Sequence, residues 1–165
     1  IALDGSTIES RGGQAGAAAG PTEVWVAYDQ PIGGTPAVAI SARQSDGTDV
    51  AVAATPAIDG AVLKIVMGAC PDISCLTITV DGVKDSTGGC DAAQQVLKLK
   101  VRKGDVNEDG ATDGGDMTQC RTRSSGLPVT VDTCKWDVNA DGFVDGGDMT
   151  ACRVLSSGLV TPSCP

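Results

Sequence analysis

The sequence DVNEDGATDGGD at residues 105–116 and its close copy DVNADGFVDGGD at residues 137–148 decide how the last third of the chain folds. Both stretches are twelve residues long, with side-chain oxygens at positions 1, 3, 5 and 9 and glycine at position 6. Acids spaced two residues apart on a tight loop point at one centre, and a hard cation needs several oxygen ligands. Two such loops in register predict two Ca²⁺ sites.

The predicted ligands follow from the position of each residue in its loop. Aspartate or asparagine fills positions 1, 3, 5, 9 and 12, and the residue at position 7 offers its backbone carbonyl. The predicted metal ligands are Asp105, Asn107, Asp109, Ala111, Asp113 and Asp116 in the first loop, and Asp137, Asn139, Asp141, Phe143, Asp145 and Asp148 in the second.

The duplication extends beyond the loops. Residues 105–127 and 137–159 differ at six positions, and the repeat period is 32 residues. A short helix is predicted after each loop, at 114–125 in the first copy, because the glycine that follows favours a helix end. Met117 and Met149 are expected to pack between the two helices. No helical pattern precedes either loop, so each unit is a calcium loop followed by a helix.

A repeated loop and helix with Asp, rather than Glu, at position 12 resembles a dockerin domain over about residues 103–164. The resemblance implies a protein-docking module whose partner, a cohesin, is itself a β-sandwich. In dockerins, loop positions 10 and 11 and several helix residues contact the partner. Both positions are glycine in both copies, at 114–115 and 146–147, so the chain departs from the family at positions that recognise the partner.

Upstream of the loops, short apolar runs alternate with turns rich in Gly, Pro and Asp. Six or seven short strands at regular spacing predict an antiparallel β-sandwich. The clearest alternation places Leu76, Ile78 and Val80 on one face. The predicted strands are Glu23–Tyr28, Ala37–Ile40, Asp49–Ala54, Ala61–Met67, Leu76–Val80 and Val96–Val101.

Two of these strands carry a second resemblance. VWVAYDQPI at residues 24–32, and LTITVDGVKD at residues 76–85 with two glycines after it, resemble an early and a late strand of bacterial Ig-like domains. Such domains are mostly spacers and stalks on surface proteins, so the resemblance concerns fold more than function. The expected fold class is mostly β with a small α C-terminal part. An Ig-like antiparallel β-sandwich over residues 1–101 precedes a dockerin-like pair of calcium loop–helix units over residues 102–165.

Residues 1–20 end in the Gly/Ala-rich run RGGQAGAAAG. Such a segment is ordered only where something ties it down. Two placements are open: a first strand in the chain's own sheet, or an extended strand exchanged with a neighbouring molecule.

Seven cysteines in a short acidic chain predict an oxidising compartment and disulfides. Repeat symmetry predicts one bridge per loop–helix unit, and a hairpin loop predicts a third. The predicted pairs are Cys120–Cys134, Cys152–Cys164 and Cys70–Cys75. Cys120–Cys152 and Cys75–Cys90 remain as competitors, and one cysteine is left free or paired between chains.

Composition disfavours several classes of function. The chain of 165 residues has a net charge of −9 and no histidine. Without histidine there are no His-based triads or bases, and we predict that the protein is not an enzyme. A nucleic-acid partner would need a basic surface, and no apolar run is long enough to span a membrane. The chain begins at Ile1 without Met, so we expect a processed, secreted protein, extracellular or on the cell surface.

These features predict an extracellular structural protein stiffened by calcium and disulfides. A sandwich at one end and a pairing module at the other make a head-to-tail unit. A head-to-tail contact that does not close gives a filament or surface layer, so the expected partner is the chain itself. The alternative is a cohesin-binding dockerin adaptor of a cell-surface or polysaccharide-degrading complex. A carbohydrate-binding module is disfavoured, because Trp25 and Tyr28 fall on opposite faces of one strand.

Overall fold

The strands of the two larger sheets come first in the chain, and the two α-helices follow them. In the computed structural model the described residues are 4–9, 21–130, 133–156, 161, 162 and 164. Their elements, in chain order, are β1 Asp4–Glu9, β2 Glu23–Ala27, β3 Ile32–Gln44, β4 Asp49–Val52, β5 Ala54–Asp59, β6 Val62–Met67, β7 Ser74–Asp85, β8 Gln95–Val101, α1 Gly114–Arg123, β9 Leu127–Pro128, a 3-10 helix Cys134–Trp136, β10 Phe143–Val144 and α2 Gly146–Leu155. The predicted fold class, mostly β with a small α C-terminal part, is confirmed.

Two sheets build the part of the fold that precedes the loops. Five strands form one sheet in the order β1-β8-β7-β3-β4, and three form the other in the order β2-β6-β5. Side chains from both sheets make one buried cluster, with Leu63 and Ile65 from the smaller sheet and Leu76, Ile78 and Val101 from the larger. Burying each aliphatic side chain stabilises the fold by about 1.5–3 kcal/mol. The two sheets are in keeping with the Ig-like resemblance, which stays a prediction.

One predicted strand, Asp49–Ala54, is two strands in different sheets. β4 pairs with β3, and after Ala53 the chain crosses to the smaller sheet, where β5 pairs with β6. Pro56, just beyond the predicted strand, lies inside β5 opposite Ile65. Proline has no backbone N–H to donate, and it is tolerated here because β5 is an outer strand of its sheet.

β3 is much longer than the predicted strand Ala37–Ile40. It runs opposite β7 with an irregular register between Gly34 and Ala37. Gly34 has φ +88°, and a Cβ there would come within 2.6 Å of the carbonyl O of Gly82. Glycine is therefore required at this bulge, and the turn-like composition that results hides the first part of the strand.

β1 is parallel to β8, whereas the other described pairings in the two large sheets are antiparallel. The prediction of a wholly antiparallel sandwich is therefore wrong at this edge. The registers place Asp4 opposite Lys98 and Ile8 opposite Lys100. The structure thus shows β1 in the chain's own sheet, while most of the predicted segment 1–20 lies outside the described residues.

The C-terminal unit, by which we mean residues 103–164, has its own small core. α1 contacts α2, and the buried cluster between them and the loops includes Val106, Trp136 and Val138. β9 and β10 form a two-stranded antiparallel ribbon. Among the described residues this cluster shares no member with that of the sandwich. The domain division after Val101 stays a prediction. No helix in the described part of the chain has the length and apolar character needed to cross a bilayer.

A disulfide between Cys75 and Cys164 joins β7 to the C-terminal unit across 89 residues. The predicted pairs Cys70–Cys75 and Cys152–Cys164 are therefore wrong. The competitor Cys75–Cys90 is excluded too, because Cys75 is already bonded.

The reason for this pairing is the way in which the C-terminal unit lies against the sandwich. Where β8 leaves the sheet, Lys103 N donates to Asp72 Oδ1 at 2.9 Å. The tail then passes the first loop, where Thr161 N donates to the carbonyl O of Gly110 at 2.9 Å. Both contacts bring the end of the chain to the beginning of β7, a proximity that repeat symmetry does not reveal.

The predicted pair Cys120–Cys134 is also wrong. Cys120 Sγ lies 3.1 Å from Cys152 Sγ inside the buried cluster of the C-terminal unit. Cys70 instead turns into the sandwich, where its Sγ is 3.5 Å from the carbonyl O of Pro21, and burial raises the pKa of its thiol. The packing of α1 on α2 brings together cysteines from different repeats, whereas repeat symmetry predicted pairs within each repeat.

Candidate metal centre

Both candidate loops turn sharply at the glycine in position 6. The first loop starts just beyond β8, and the second follows the 3-10 helix directly. Gly110 and Gly142 both have φ +93°, in the region that residues with a Cβ rarely adopt. The turn brings the residues before and after each glycine to the same side of the loop.

Side-chain oxygens at positions 1 and 3 accept hydrogen bonds from the backbone of their own loop. Asp105 Oδ1 accepts from Asp109 N at 3.1 Å, and its Oδ2 accepts from Gly110 N at 2.8 Å. Asn107 Oδ1 also accepts from Asp109 N, at 3.0 Å. The second loop repeats these bonds. The side-chain oxygens at positions 1 and 3 are therefore held at the backbone turn of each loop.

The aspartate at position 12 connects the beginning of the loop to the helix. Asp116 Oδ1 accepts from Val106 N, and its Oδ2 accepts from Asp113 N, both at 2.8 Å. Asp113 is the N-cap of α1 and accepts from Gly115 N at 2.7 Å, which completes a capping box. α2 begins with the same capping box. The short Asp side chain at position 12 thus has a structural role at the start of each helix.

Four of the predicted ligands are buried carboxylates: Asp105, Asp116, Asp137 and Asp148. Burial, with the nearby charge of Asp116, raises the pKa of Asp105 to about 6. Burial also raises the pKa of Asp116 and of Asp148. Buried carboxylates in one loop destabilise each other, and a divalent cation offsets both the burial and the repulsion. The residues present therefore fit calcium.

Among the described residues, no group of three or more acidic or cysteine side chains is gathered closely enough to hold a metal ion. The carboxylate oxygens that would coordinate the ion instead accept hydrogen bonds from backbone N–H groups, as the bonds to Asp105 and Asp116 show. The position-7 residues differ in setting: Ala111 is half-buried, and Phe143 lies in β10 with its side chain exposed. The six metal ligands predicted in each of the two loops remain a prediction.

The paired glycines at positions 10 and 11 have different surroundings. A Cβ on Gly114 or Gly146 would meet nothing within 4 Å. A Cβ on Gly147 would lie 2.9 Å from Asn139 Nδ2 and 3.0 Å from Asp145 Oδ1. Glycine at position 11 therefore makes room for the ligand side chains of its own loop, whereas position 10 faces open space.

A groove of about 330 Å³ lies along α1 and α2 and combines equivalent residues of the two repeats. Met117 packs against the core beneath it, but Met149 is 38 % exposed, so the expected packing of both methionines between the helices holds only for Met117. The lining residues are Gly114, Met117, Thr118, Arg121, Met149, Thr150 and Arg153. The result is a nearly twofold surface of thioether, hydroxyl and guanidinium groups.

The two loops and their helices have a counterpart among known protein families. Residues 103–152 match the dockerin type I domain. The dockerin match includes both loops, ends inside α2 and confirms the predicted resemblance for these residues. Dockerin domains are protein-interaction modules that typically bind calcium and take partners such as cohesins, and proteins that carry them are usually extracellular or on the cell surface. Comparison with curated proteins finds no match to the chain.

Sequence reasoning missed the residue that stands directly before each loop of the dockerin segment. Trp136 is buried, with the Arg123 guanidinium 4.7 Å and Lys135 Nζ 5.2 Å from its ring centre. The equivalent residue in the first repeat is Gly104, where a Cβ would lie 2.8 Å from Thr112 Cγ2. The sequence did contain a sign of this packing difference, because the two repeats have Gly104 and Trp136 at equivalent positions.

Proposed function

We propose that this protein is an extracellular structural subunit that assembles head to tail with copies of itself into a filament or surface layer. The observation that carries the proposal is strand β1, which forms the outer edge of the larger sheet and is hydrogen-bonded to β8. An edge strand that rests on one neighbour can be supplied by another molecule with no change to the rest of the sheet.

In the exchanged form, β1 of one copy lies on β8 of the next in the same parallel register. Asp4 is then opposite Lys98, and Glu9 is opposite Val101, as within one chain. Eight of the ten residues in 11–20 are glycine or alanine, a composition typical of linkers, and in this proposal they connect one molecule to the next. Since each copy gives one strand and accepts one, the contact can pass from copy to copy, and it gives a filament where the rotation between successive copies does not close a dimer or a ring.

Contacts across the join between the sandwich and the C-terminal unit support a rigid subunit. The Cys75–Cys164 disulfide and the hydrogen bond from Lys103 to Asp72 both cross it. We assign residues 1–101 to the sandwich and residues 102–165 to the calcium-binding part. A rigid subunit transmits its orientation to the next copy, which a filament of regular shape requires.

Two calcium ions complete the subunit in this proposal, one in each loop, on the residues at positions 1, 3, 5, 7, 9 and 12. Titration calorimetry of chelator-treated protein with calcium is expected to give two sites per chain. Asp116→Asn and Asp148→Asn each remove one carboxylate and are each expected to leave one site. A wild-type stoichiometry of one, or a stoichiometry of two in either variant, would contradict this ligand assignment.

The test of self-assembly uses the full chain with calcium, released from a removable leader so that it begins at Ile1. Light scattering and electron microscopy are expected to show growth into fibres or layers as the concentration rises. A chain without residues 1–20 is expected to stay monomeric, and a labelled peptide of residues 1–20 is expected to bind it.

Two results would overturn the assembly proposal. One is a full chain that stays monomeric at every concentration. The other is a truncated chain, with an unchanged circular dichroism spectrum, that still assembles and does not bind the peptide. Arg121→Glu with Arg153→Glu is the matched control, because these residues line the α1–α2 groove and are remote in sequence from β1 and β8. This double variant is expected to assemble like the wild type.

The dockerin match supports a second candidate function, docking onto a cohesin-type β-sandwich through the α1–α2 groove. The groove draws nearly the same residues from each repeat, so a partner could bind in two orientations related by a half-turn. The two guanidinium groups, Arg121 and Arg153, favour a partner surface that carries carboxylates.

Binding assays with immobilised cohesin modules test this second function. If the two orientations are equivalent, Arg121→Glu alone and Arg153→Glu alone each leave one of them intact, and only the double variant loses binding. Loss of binding in the chain without residues 1–20 would instead place the contact on β1. No binding of the wild type by any cohesin from the same source would exclude the docking function.

A further inference from the structure

Two thiols meet at the contact between the two helices of the C-terminal unit. Cys120 of α1 and Cys152 of α2 have their sulfurs 3.1 Å apart, and both residues are fully buried. They occupy the same position in the two repeats, 32 residues apart. The pair therefore lies where the two calcium units pack against each other.

We propose that Cys120 and Cys152 form a disulfide that joins the two calcium units to each other. Helix packing already holds the two sulfurs side by side, so the bond needs only a small approach of α1 and α2. The Cys75–Cys164 disulfide in the same chain indicates an oxidising environment. The inference goes beyond the proposed function, since it depends neither on self-assembly nor on a docking partner.

The chemistry is an exchange with a small-molecule disulfide such as oxidised glutathione. The thiolate of one cysteine attacks the glutathione disulfide, forms a mixed disulfide and releases one glutathione thiolate. The second cysteine then displaces the other glutathione. The two protein thiols lose two electrons and two protons, and one oxidised glutathione becomes two reduced glutathione molecules. Because both sulfurs are buried when the helices are packed, the first step takes place while they are apart.

The position of the pair gives the bond a consequence for calcium. Cys152 Sγ is 3.6 Å from the carbonyl O of Gly104, the residue before the first loop. A bond at this point keeps α1 on α2 after the ions leave, so that the loops loosen while the helices stay together. Calcium then controls the loops, and the disulfide controls the pairing of the two units.

Peptide mapping tests the bond directly, because trypsin separates the relevant cysteines. Cys120 lies in peptide 104–121, Cys152 in peptide 136–153 and Cys134 in peptide 124–135. Protein secreted from an oxidising host is denatured with N-ethylmaleimide and without reductant, then digested. The expected product is peptide 104–121 joined to peptide 136–153, two mass units lighter than the two free peptides together.

The map also contains its own control, because the Cys75–Cys164 disulfide joins peptide 65–84 to peptide 154–165. Recovery of that product with peptides 104–121 and 136–153 both fully alkylated would overturn the proposal. A link from peptide 104–121 to peptide 124–135 would overturn it equally, in favour of a bridge inside the first repeat.

A second measurement tests the consequence, with Cys120→Ala/Cys152→Ala compared with the wild type in chelator. Loss of a disulfide of this kind is expected to lower the ratio of packed to open helices by roughly 30- to 1000-fold, read as hydrogen exchange in α1 and α2. Under reductant the wild type also lacks the bond, so the difference should shrink to the smaller one that comes from replacing two buried thiols by methyl groups. A difference as large with reductant as without it comes from side-chain packing and would overturn the proposal, as would equal exchange without reductant.

Discussion

The sandwich and the C-terminal unit are held together by different means. Among the residues that the structure describes, the sandwich buries fourteen hydrophobic residues in one cluster, whereas the C-terminal unit buries six, two of them cysteines. The C-terminal unit also buries four aspartates, which destabilise it unless something offsets their charge. The comparison shows how one short chain combines a region with an ordinary hydrophobic core and a region that depends on ions and sulfur.

The largest expected effect is that of calcium removal, which should separate the two regions. At free calcium 100-fold above the Kd, each ion stabilises the folded unit by about 2.7 kcal/mol, so two ions contribute about 5 kcal/mol. The chain has one tryptophan in each region, Trp25 and Trp136. In a Trp25→Phe variant, chelator should shift the emission of buried Trp136 to the red and speed proteolysis after Lys103. Unchanged emission and proteolysis would show that the C-terminal unit does not need the ion.

A cavity in the sandwich should produce the second-largest effect and should leave calcium binding alone. Leu63 is fully buried in β6, and Leu63→Ala is expected to cost about 2–5 kcal/mol of unfolding free energy. Val66→Ala on the same strand is the matched control, since Val66 is 51 % exposed. Urea unfolding followed by strand circular dichroism measures the loss. A calcium affinity that falls together with the stability would show that the two regions fold as one.

A cation lies over the tryptophan of each region, and the effect of removing it should depend on burial. Arg123 is 4.7 Å from the ring centre of buried Trp136, and Lys64 is 4.9 Å from that of Trp25, which is 62 % exposed. Arg123→Met should cost about 0.5–2 kcal/mol, because the ring of Trp136 that it covers is buried, although Arg123 itself is exposed. Lys64→Met should change stability less, despite also losing the ion pair with Asp59. Thermal unfolding of both variants in calcium decides this, and a larger loss at Lys64 would reverse the comparison.

The smallest expected effect is a pH dependence that belongs to the sandwich alone. Hydrogen bonds from Thr87 and Gly89 lower the pKa of Asp85 to about 2 from its ordinary 3.8. Because the pKa is lower in the folded state, these bonds stabilise the fold above pH 4, and the stabilisation is lost as pH falls towards 2. Asp85→Asn should therefore be less stable than the wild type at pH 6 and equal to it near pH 2. Urea midpoints in chelator measure this, and a stability difference that is the same at pH 6 and near pH 2 would contradict it.

The sequence predicted best where a local pattern determines the structure. The φ of Gly110 and Gly142 and the start of α1 at Gly114 follow from the twelve-residue loop. Strand alternation likewise placed Ile78 in the core. In each case the residue's neighbours in sequence are also the atoms that decide its conformation.

Features that depend on distant parts of the chain were not predictable in this way. The crossing from β4 to β5 at Ala53 depends on which sheet offers a free edge, and the local composition does not encode that choice. The bond from Cys75 to Cys164 depends on where β8 delivers the C-terminal unit. β1 lies at the edge of the sheet beside β8 and runs parallel to it. The sequence of residues 4–9 indicates neither the edge nor the direction.

The glycines at position 11 correct an interpretation drawn from the family resemblance. Because positions 10 and 11 of both loops are glycine, the sequence suggested that this chain recognises a partner differently from other dockerins. The space around Gly115 and Gly147 is instead taken up by side chains of their own loops, so glycine there meets an internal steric need. Only Gly114 and Gly146 face outwards, and they are the positions at which an added side chain would alter a docking surface.

The Cys75–Cys164 bond also decides how the molecule carries mechanical load. A pull on the chain beyond Cys164 passes through the two sulfurs into the first residues of β7. The residues between these two cysteines, including both calcium loops, then lie outside the line of tension. The strands of the sandwich that precede Cys75 bear the force, and both loops are shielded from it.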